Sequence, residues 1–425
     1  MAETLLNSQV KRCAVVTGAN KGVGLEICRQ LASGGIFVIL TSRDRNQGLE
    51  AVENLKKSGL SNVVFHQVDV MNQITVSSLA EFINIHFGKL DILVNNAGIL
   101  GAITDAASFT TLVQAVEMDK NKEKPNLQQV ITETYESTVE CMQTNYYGVK
   151  SVTKSLIPLL QLSDSPRIVN VSSALGKLKF ISNEKALEIL NDGDGLKEES
   201  VDEIVNMFLK DFKMDILETQ GWPPYLPAYT ISKVCLNAYT RILARKFPTF
   251  RINCVSPGWV KTDICYNSGV LTTTEGAERV IELALLPNDG PSGLFFTNKE
   301  NICNEKAFEV LSDVDCLTEE RIDEVVKTFL NDLKEGFLEA KGWPTLLSAY
   351  TISKASVNAY TRILAKKFPT FRINCVCPGF VKTDINFNSG ILTVEEGAKS
   401  PVRLALLPDN VTSGLFFVRE EVSSF

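Results

Sequence analysis

A tyrosine and a lysine lie four positions apart in the segment Tyr229-Thr-Ile-Ser-Lys233. On a helix these two positions share one face, a single turn apart. A free phenol has a pKa of about 10, which makes it a poor partner for proton transfer at neutral pH. A positive charge beside the phenol favours its ionised form and lowers its pKa. The spacing occurs on many helices, so the pair is a candidate for proton transfer only if other residues assemble a reaction site around it.

A glycine-rich turn near the start of the chain could hold a phosphate. The apolar run 13–16 predicts a buried strand, and the helical spacing of apolar residues over 25–31 predicts a helix after it. Between the two, Gly18, Gly22 and Gly24 remove side chains from a tight turn. The free N–H groups and the positive dipole end of a helix N-terminus attract an anion. The segment therefore predicts the first unit of a dinucleotide-binding fold.

Further apolar runs alternate with helical segments along the first half of the chain. Runs at 36–40, 63–70, 90–94 and 167–171 predict four more strands. Strands and helices that alternate at this spacing form βαβ units, which implies a parallel sheet with helices on both faces. The predicted fold class is α/β, with a doubly wound, Rossmann-like sheet.

The end of the second predicted strand carries charges that discriminate between cofactors. An acidic residue there binds the 2′-hydroxyl of NAD, whereas arginine accommodates the 2′-phosphate of NADP. Arg43 and Arg45 lie at this point, and Lys21 in the glycine turn is a third cation, while Asp44 is the one discordant charge. The balance predicts NADP, with solvated surface charge as the alternative, most strongly for Arg45. Asp69, at the end of the third strand, is expected to face the adenine.

Composition excludes several classes of function. A net charge of -7 without a lysine or arginine cluster argues against binding to nucleic acid or to an anionic membrane. Residues 1–12 are polar and mixed, and no apolar run is long enough to span a bilayer. The ten cysteines form no CxxC pair, and the two histidines predict no metal site. We expect a cytoplasmic protein with reduced cysteines, no membrane insertion and no metal.

Six motifs together resemble the short-chain dehydrogenase/reductase family. In chain order they are TGANKGVG (17–24), NNAG (95–98), Asn145 within MQTNYYG, VNVSS (169–173), YTISK (229–233) and SPGWVKT (256–262). The resemblance covers residues 13 to about 297. It is strongest to the carbonyl reductase branch with plant terpenoid and alkaloid reductases, because of the NKG in the first turn, TSRDRNQG after the second strand and a long insertion containing Gly221-Trp222-Pro223.

The resemblance implies hydride transfer from NADPH to the carbonyl group of a small, largely apolar molecule such as a menthone-like terpenoid or an alkaloid. It makes Tyr229 the proton donor and gives Lys233 a second role at the nicotinamide ribose. Ser173 would donate to the carbonyl oxygen, and Asn145 would hold a water that links Lys233 to solvent. Ser172 is expected to be a supporting neighbour.

The same resemblance implies which residues contact the cofactor. They are Gly18, Asn20, Lys21, Gly22, Val23, Gly24, Arg43, Asp69, Val70, Asn96, Ala97, Gly98, Tyr229, Lys233, Pro257, Gly258, Val260 and Thr262. Val260 and Thr262 should contact the carboxamide side of the nicotinamide, and Trp259 should border the substrate or pack in the wall.

Two segments are expected to shape the substrate pocket. Residues 101–140 contain a charged stretch at 118–125 that is typical of a surface insertion or lid. The insertion at about 178–225 carries an amphipathic segment at 201–209 that predicts a helix. In the resembled branch such an insertion covers the helices that other family members use for dimerisation, so we expect a monomer. The alternative is that the insertion only lengthens a loop.

The last third of the chain repeats the segment before it. Residues 304–421 align without gaps to 183–300, with roughly three in five positions identical. Tyr350-Thr-Ile-Ser-Lys354 repeats the first motif, but this second copy has no glycine turn and no equivalent of Asn145 or Ser173. We therefore predict a dehydrogenase domain over 1–300 and a partial repeat over 301–425 that cannot close a fold of its own, in which Tyr350 and Lys354 are inert.

The repeat leaves three arrangements open. The first copy completes the sheet and the second is an appendage, or the second copy docks and the first is looped out, which loop-closure entropy permits. Alternatively, the chain is a fusion of duplicated segments with no stable protein of this length. We favour the first arrangement, in which the apolar strands of the second copy make the chain prone to aggregation. The predicted function is an NADPH-dependent carbonyl reductase, and the alternative is a nucleotide-binding pseudoenzyme or fusion product without turnover.

Overall fold

A computed structural model describes residues 12–103, 132–193, 195–297, 304–313, 316–338, 341–344, 348–379, 381–386, 392–406, 413–419 and 421–423. The chain divides into two compact units, Met1–Thr297 and Asn298–Phe425, which we call the first unit and the second unit. The predicted lid stretch at 118–125 lies outside the described residues.

The first unit is built on a seven-stranded sheet in which every pair of neighbouring strands is parallel. Its strands are β1 (Cys13–Val16), β2 (Phe37–Ser42), β3 (Val63–Gln67), β4 (Ile92–Asn95), β5 (Arg167–Val171), β6 (Arg251–Val255) and β7 (Phe295–Phe296). They follow the order β3-β2-β1-β4-β5-β6-β7, so the direction of winding reverses between β1 and β4. Ligands bind at such a switch point, beyond the carboxyl ends of the strands.

Helices connect these strands. They are α1 (Gly22–Ser33), α2 (Arg45–Lys57), α3 (Gln73–Phe87), α4 (Tyr135–Met142), α5 (Gly148–Leu160), α6 (Glu184–Asn191), α7 (Glu198–Lys213), α8 (Pro227–Lys246) and α9 (Thr273–Ala284). The strands β1, β4 and β5 are buried along their whole length, as expected where helices cover both faces of a parallel sheet. The predicted doubly wound α/β fold is confirmed.

A chain of buried polar side chains links the centre of the sheet to its covering helices. Asn95 donates to Asn170 Oδ1 at 2.8 Å and to Thr153 Oγ1 at 3.1 Å, and Asn170 donates to Thr240 Oγ1 at 2.9 Å. These hydrogen bonds join β4 and β5 to α5 and α8. Because an unpaired polar group is costly in the core, the chain fixes the position of α8 relative to the strand ends.

The helical segment that runs from α4 into α5 contains an irregular turn. A π-helical turn at Gln143–Tyr147 separates α4 from α5, and Asn145 lies at its centre. π-turns inside helices occur frequently at functional sites. Here the widened turn carries a side chain that the sequence analysis assigned to the reaction site.

The insertion between β5 and α8 forms two helices rather than a longer loop. The apolar face of α7 is buried, with Val201, Ile204, Val205 and Phe208 at its centre. Asp202 on the same helix accepts hydrogen bonds from Tyr146 Oη at 2.9 Å and from Lys150 Nζ at 2.8 Å. The insertion is thereby fixed to the helices around Asn145.

The second unit has its own helices and a small sheet. Its elements are α10 (Glu305–Ser312), α11 (Glu319–Glu335), α12 (Ser348–Lys367), α13 (Val394–Ala405), β8 (Cys375–Cys377), β9 (Phe416–Val418) and β10 (Glu421–Ser423). The sheet order is β10-β9-β8, and β10 is antiparallel to β9. A small core that includes Phe329, Trp343 and Ile352 holds the helices together. No helix in the described part of the chain is long and apolar enough to cross a membrane.

Candidate active site

The glycine turn after β1 packs directly against the loop after β4. Gly18 has a φ of 59°, and a Cβ at this position would lie 2.8 Å from the Cα of Ala97. A Cβ on Gly24 would lie 2.4 Å from Asn96 Nδ2 and 2.7 Å from the carbonyl oxygen of Gly18. Any side chain at these two positions would separate the two loops. The structure therefore gives a steric reason for both glycines.

Thr17 connects the glycine turn to the loop after β4 by hydrogen bonds, a role that the sequence analysis missed. Its Oγ1 accepts the N–H groups of Asn96 at 2.9 Å and of Ala97 at 3.0 Å. In return, Asn96 Nδ2 donates to the carbonyl oxygens of Thr17 at 2.9 Å and of Gly18 at 3.0 Å. Its position directly before Gly18 was the available signal, because only a short hydroxyl side chain reaches the neighbouring strand end from there.

The first turn of α1 fits an anionic group. Lys21 at its N-cap makes no side-chain capping hydrogen bond, and the first turn contains no acidic residue. Such a terminus keeps free N–H groups for a phosphate. A Cβ on Gly22 would lie 3.4 Å from Thr262 Cγ2, so the turn faces the segment after β6. Val23 lies within the same first turn.

Two charged residues that were expected near the adenosine ribose of the cofactor, Asp44 and Lys21, interact with other protein groups. The carboxylate of Asp44 accepts the N–H of Gln47 at 2.9 Å and caps α2, so this residue has a structural role of its own. Lys21 Nζ pairs with Asp263 at 2.7 Å, between two exposed side chains. Arg43 is also exposed and lies 3.8 Å from Glu140.

Three of the other predicted cofactor residues hold their loops in place. Asn20 donates to Gln47 Oε1 at 2.7 Å, and Asp69 accepts the N–H of Met71 at 3.0 Å. Val70 packs over Gly148, where a Cβ would lie 2.8 Å from its Cγ2 atom.

Tyr229 and Lys233 lie on α8 as predicted, beside the end of β5. Lys233 Nζ is 5.5 Å from the centroid of the Tyr229 ring and donates to the carbonyl oxygen of Val171 at 2.9 Å. The phenol of Tyr229 shares a hydrogen bond with the hydroxyl of Ser173. The Ser173 hydroxyl also accepts the N–H of Leu175 at 3.2 Å, which fixes its position. The structure thus brings the predicted proton donor and the predicted carbonyl ligand together.

Burial controls the ionisation of this pair. It raises the pKa of Tyr229 to about 12, against a smaller lowering by the Ser173 hydrogen bond. It also lowers the pKa of Lys233 to about 8. Desolvation is thus the largest influence on the pKa of the phenol. The expected lowering of the phenol pKa by the Lys233 charge stays a prediction. The phenol is protonated at neutral pH.

Asn145 is fully engaged with its surroundings. Its Nδ2 donates to the carbonyl oxygen of Ile99 at 2.9 Å and to Ser232 Oγ at 3.0 Å, and its Oδ1 accepts the N–H of Ile99 at 2.8 Å. A Cβ on Gly98 would lie 3.3 Å from Asn145 Oδ1 and 3.5 Å from Lys233 Nζ. Gly98 therefore allows the NNAG loop, Asn145 and Lys233 to meet. The water-holding role of Asn145 stays a prediction.

Ser172 has a supporting role in the geometry. It is buried and donates to Asn237 Oδ1 at 2.6 Å on α8. Asn237 in turn donates to the carbonyl oxygen of Gly176 at 3.0 Å. These bonds hold the end of β5 against the helix that carries Tyr229, while Ser173 remains next to the phenol.

An apolar wall surrounds Tyr229. It consists of Leu100, Ala102, Leu175, Tyr225, Leu226, Tyr229, Trp259 and Cys265. The segment after β6 contributes Trp259, which follows Pro257 and a left-handed Gly258 with a φ of 92°. Val260 is buried and bridges to Leu271, and the Thr262 hydroxyl donates to the Val260 carbonyl oxygen at 3.3 Å. The wall can hold a largely apolar molecule against the phenol.

A buried carboxyl near the start of α8 was also missed. Glu133 lies between the Ile103–Thr132 bridge and the capping box that starts α4. Neither of its carboxylate oxygens has a hydrogen-bond partner of good geometry among the described residues. The backbone N–H of Ala228 is near enough to lower the pKa of the carboxyl slightly. Burial raises the pKa of Glu133 to about 8. An acidic residue in the polar stretch TETYE carried no signal of burial in the sequence.

Family models match most of the first unit and part of the second. A model described as short chain dehydrogenase matches residues 12–184. A second, described as Enoyl-(Acyl carrier protein) reductase, matches residues 213–290 and again residues 337–423.

Curated relatives and solved structures match about two thirds of the chain. Salutaridine reductase of Papaver bracteatum is 59% identical over 71% of this chain and 99% of the relative. Carbonyl reductase (NADPH) 3 of Rattus norvegicus is 36% identical over 69% of this chain and 98% of the relative. The structure of menthone neomenthol reductase from Mentha piperita has 48% identity and a TM-score of 0.61, covering 68% of this chain and 99% of that one. The chain belongs to the short-chain dehydrogenase/reductase family, and it is an oxidoreductase.

Proposed function

We propose that the protein is an NADPH-dependent carbonyl reductase that acts on a ketone or aldehyde of a small, largely apolar molecule of the terpenoid or alkaloid class. The observation that carries the proposal is the phenol of Tyr229, hydrogen-bonded to Ser173 and packed in an apolar cluster. The names of the relatives support the class of substrate: they include salutaridine reductase, (+)-neomenthol dehydrogenase and (-)-isopiperitenone reductase.

The residues divide the reaction between them. Bound NADPH supplies the hydride. The hydroxyls of Ser173 and Tyr229 are hydrogen-bonded to each other. A carbonyl oxygen bound beside them would accept from both and become polarised. Tyr229 then donates its proton to the forming alkoxide. Lys233, held by the Val171 carbonyl oxygen, places its charge beside the ring and stabilises the phenolate that remains.

The glycine turn and the segment after β6 would hold the cofactor. The uncapped start of α1 offers N–H groups to the pyrophosphate, and Arg43 and Arg45 offer positive charge to a 2′-phosphate. Asp44, the one acidic residue beside them, caps α2 through its carboxylate. These contacts support NADP as the cofactor.

The experiment is a comparison of two matched substitutions. NADPH consumption is measured on a panel of cyclic ketones and aldehydes with the parent chain, Tyr229→Phe and Tyr350→Phe. We expect activity to be lost in Tyr229→Phe and unchanged in Tyr350→Phe, because Tyr350 has no Ser173 equivalent in its own unit. A parent chain that binds NADPH without turnover on any carbonyl would favour the nucleotide-binding alternative.

We also propose that residues 301–425 are an internal duplication and that the dehydrogenase domain spans residues 1–300. Equivalent side chains adopt equivalent geometry in the two copies. Trp222 donates to Asp211 at 2.8 Å, and Trp343 donates to Asp332 at 2.7 Å. Lys354 Nζ lies 5.4 Å from the Tyr350 ring, close to the 5.5 Å in the first copy.

We further propose that the first unit is a monomer and that the protein is located in the cytoplasm. The insertion helices cover α4, the π-turn and α8, through the buried face of α7 and the bonds of Asp202. Nine cysteines of the described part are unpaired, which fits a reducing compartment. Light scattering of the chain truncated after Thr297 tests the oligomeric state of this unit, and a dimer would contradict the proposal.

A further inference from the structure

An ion pair ties the glycine turn to the segment after β6. Lys21 Nζ lies 2.7 Å from Asp263 Oδ2. The two segments also meet beside this pair, because a Cβ on Gly22 would lie 3.4 Å from Thr262 Cγ2. Both segments are expected to hold the cofactor, so the ion pair lies at the edge of the cofactor cradle.

The aspartate is the fixed member of this pair. A 3₁₀ turn starts at Asp263, whose carbonyl oxygen accepts the N–H of Tyr266 at 3.0 Å, and the Thr262 carbonyl oxygen accepts the N–H of Asn267 at 2.8 Å. Tyr266 and Asn267 are both left-handed, with φ of 52° and 58°, a conformation that persists only where the surroundings hold it. The side chain of Asn267 also hydrogen-bonds to the Asp263 carboxylate. The carboxylate therefore keeps a partner when the lysine leaves.

The lysine is the member that can change its partner. Lys21 is the N-cap of α1, and the preceding Asn20 donates to Gln47 in the first turn of α2 at 2.7 Å. The backbone of Lys21 thus lies close to the segment with Arg43 and Arg45, which are expected at a 2′-phosphate. Its side chain has a flexible four-carbon stem and is 63% exposed, so its ammonium group can exchange one anion for another.

We propose that Asp263 is a specificity-determining residue for the cofactor, because its carboxylate competes with the 2′-phosphate of NADP for Lys21. This inference rests on the proposed NADPH-dependent function. The ion pair has to open before Lys21 can bind the 2′-phosphate, so Asp263 lowers the affinity for NADP. It leaves the affinity for NAD unchanged, since NAD has no 2′-phosphate. Asp263 thus moderates the preference for NADP that the neighbouring cations provide.

The test is a double-mutant cycle on the binding of two adenosine nucleotides. The parent chain, Asp263→Asn, Lys21→Gln and the double variant are titrated with adenosine 2′,5′-bisphosphate and with AMP. Calorimetry at low ionic strength, where ion pairs are least screened, measures both affinities. Neither nucleotide carries nicotinamide, so the measurement needs no turnover.

Asp289→Asn is the matched control for the change of charge. Asp289 is exposed and follows Asn288, whose side chain accepts a hydrogen bond from Arg167 at the start of β5. It therefore lies at the amino edge of the parallel sheet, whereas Asp263 follows the carboxyl end of β6.

We expect Asp263→Asn to bind the bisphosphate about threefold more tightly than the parent chain, the size of effect that an exposed ion pair gives, and to bind AMP equally. In the Lys21→Gln background, Asp263→Asn should change the affinity no more than Asp289→Asn does. An unchanged or weaker affinity in Asp263→Asn, an equal gain for AMP, or an equal gain in the Lys21→Gln background would overturn the proposal. A gain that is selective for the bisphosphate, with no ketone reduction by the parent chain, would support the competition while removing the reductase function.

Discussion

The phenol of Tyr229 is set up as an acid at neutral pH. Its pKa is raised to about 12 by burial, so the proton needed by an alkoxide is present throughout the physiological range. The reverse reaction requires the phenolate as a base, which burial disfavours. At the scale of single residues, the phenol is therefore in the protonated form that ketone reduction requires.

Lys233 sets the upper pH limit of this reduction. Its pKa is lowered to about 8, so its charge is present below that pH and is lost above it. We expect kcat/KM for ketone reduction to fall as the pH rises through about 8, because the phenolate left by proton transfer then loses its counter-charge. The measurement is a pH profile of NADPH consumption, with Tyr350→Phe as the matched control that keeps the parent profile. A rate that stays constant well above this pH would contradict the assignment.

Glu133 makes stability depend on pH in the direction opposite to an ordinary ion-paired carboxylate. Its folded-state pKa of about 8 lies above the ordinary value of 4.5 for a glutamate. The neutral acid is fully present in both states below about pH 4.5, and the stability that it contributes is lost as the pH rises towards 8. We expect Glu133→Gln to gain free energy of unfolding relative to the parent between pH 5 and pH 8, by on the order of 2 kcal/mol.

Denaturant unfolding at these two pH values measures the effect of Glu133. Glu136→Gln, at an exposed position on α4, is the matched control and should show no such change with pH. An equal change in both variants would mean that the Glu133 carboxyl is solvated in solution.

At the scale of elements, the contact between the glycine turn and the loop after β4 shapes the cofactor cradle. A methyl group on Gly24 would force Asn96 to give up its bonds to Thr17 and Gly18, because it would lie 2.4 Å from Asn96 Nδ2. We expect Gly24→Ala to weaken NADPH binding by at least about tenfold in a fluorescence titration. Gly34→Ala, at the other end of α1, places its methyl 3.4 Å from the nearest atom and serves as the control. Equal NADPH affinities for the two variants would contradict a role of this contact in cofactor binding.

The strands β1, β2 and β4 were predictable because they follow apolar runs that are buried along most of their length. β1 and β5 have the bounds that the sequence indicated, whereas β3 ends at Gln67, earlier than its run. The motif residues were predicted as a set from the order of their motifs along the chain. Gly18 and Asn96 lie in loops that contact each other, and Ser173 lies beside Tyr229; their roles in the reaction stay predictions.

Other features depend on contacts between distant parts of the chain. The π-turn around Asn145 has no sequence signal, because it forms where that side chain bonds to Ile99 and Ser232. Asp44 looked like a cofactor charge, but it caps α2 locally. The burial of Glu133 depends on α8, which is remote in sequence, and pattern alone cannot place the two together.

At the scale of the whole molecule, the two copies differ in what covers them. In the first unit β6 pairs with β5, so residues of the first copy complete the large sheet. In the second unit β8 is an edge strand, and nothing in the described part of the chain pairs with its outer side. Tyr239 and Phe250 are 2% and 3% exposed, whereas their equivalents Tyr360 and Phe371 are 40% and 60% exposed. The second unit therefore exposes apolar side chains whose counterparts in the first copy are buried.

This difference predicts that the second unit is dispensable for catalysis and costly for solubility. The glycine turn, Asn145, Ser173, Tyr229 and Lys233 all lie in the first unit, so a chain ending at Thr297 retains every residue of the candidate site. We expect it to reduce ketones with a kcat/KM within about twofold of the full chain, since every residue of the candidate site is retained. It should also bind less of a hydrophobic dye and stay soluble at higher concentration, because exposed apolar surface and an open strand edge promote association.

Substitutions in the full chain separate the effect of this face from the effect of chain length. Tyr360→Lys with Phe371→Lys should lower dye binding and aggregation without changing kcat/KM, because both side chains are already exposed in the second unit. Ile74→Lys on α3, an exposed position of the first unit, is the control and should leave aggregation unchanged. Loss of ketone reduction in the chain truncated after Thr297 would show that the second unit contributes to the active fold. The reductase would then require both copies, and the first unit could not be regarded as the complete enzyme.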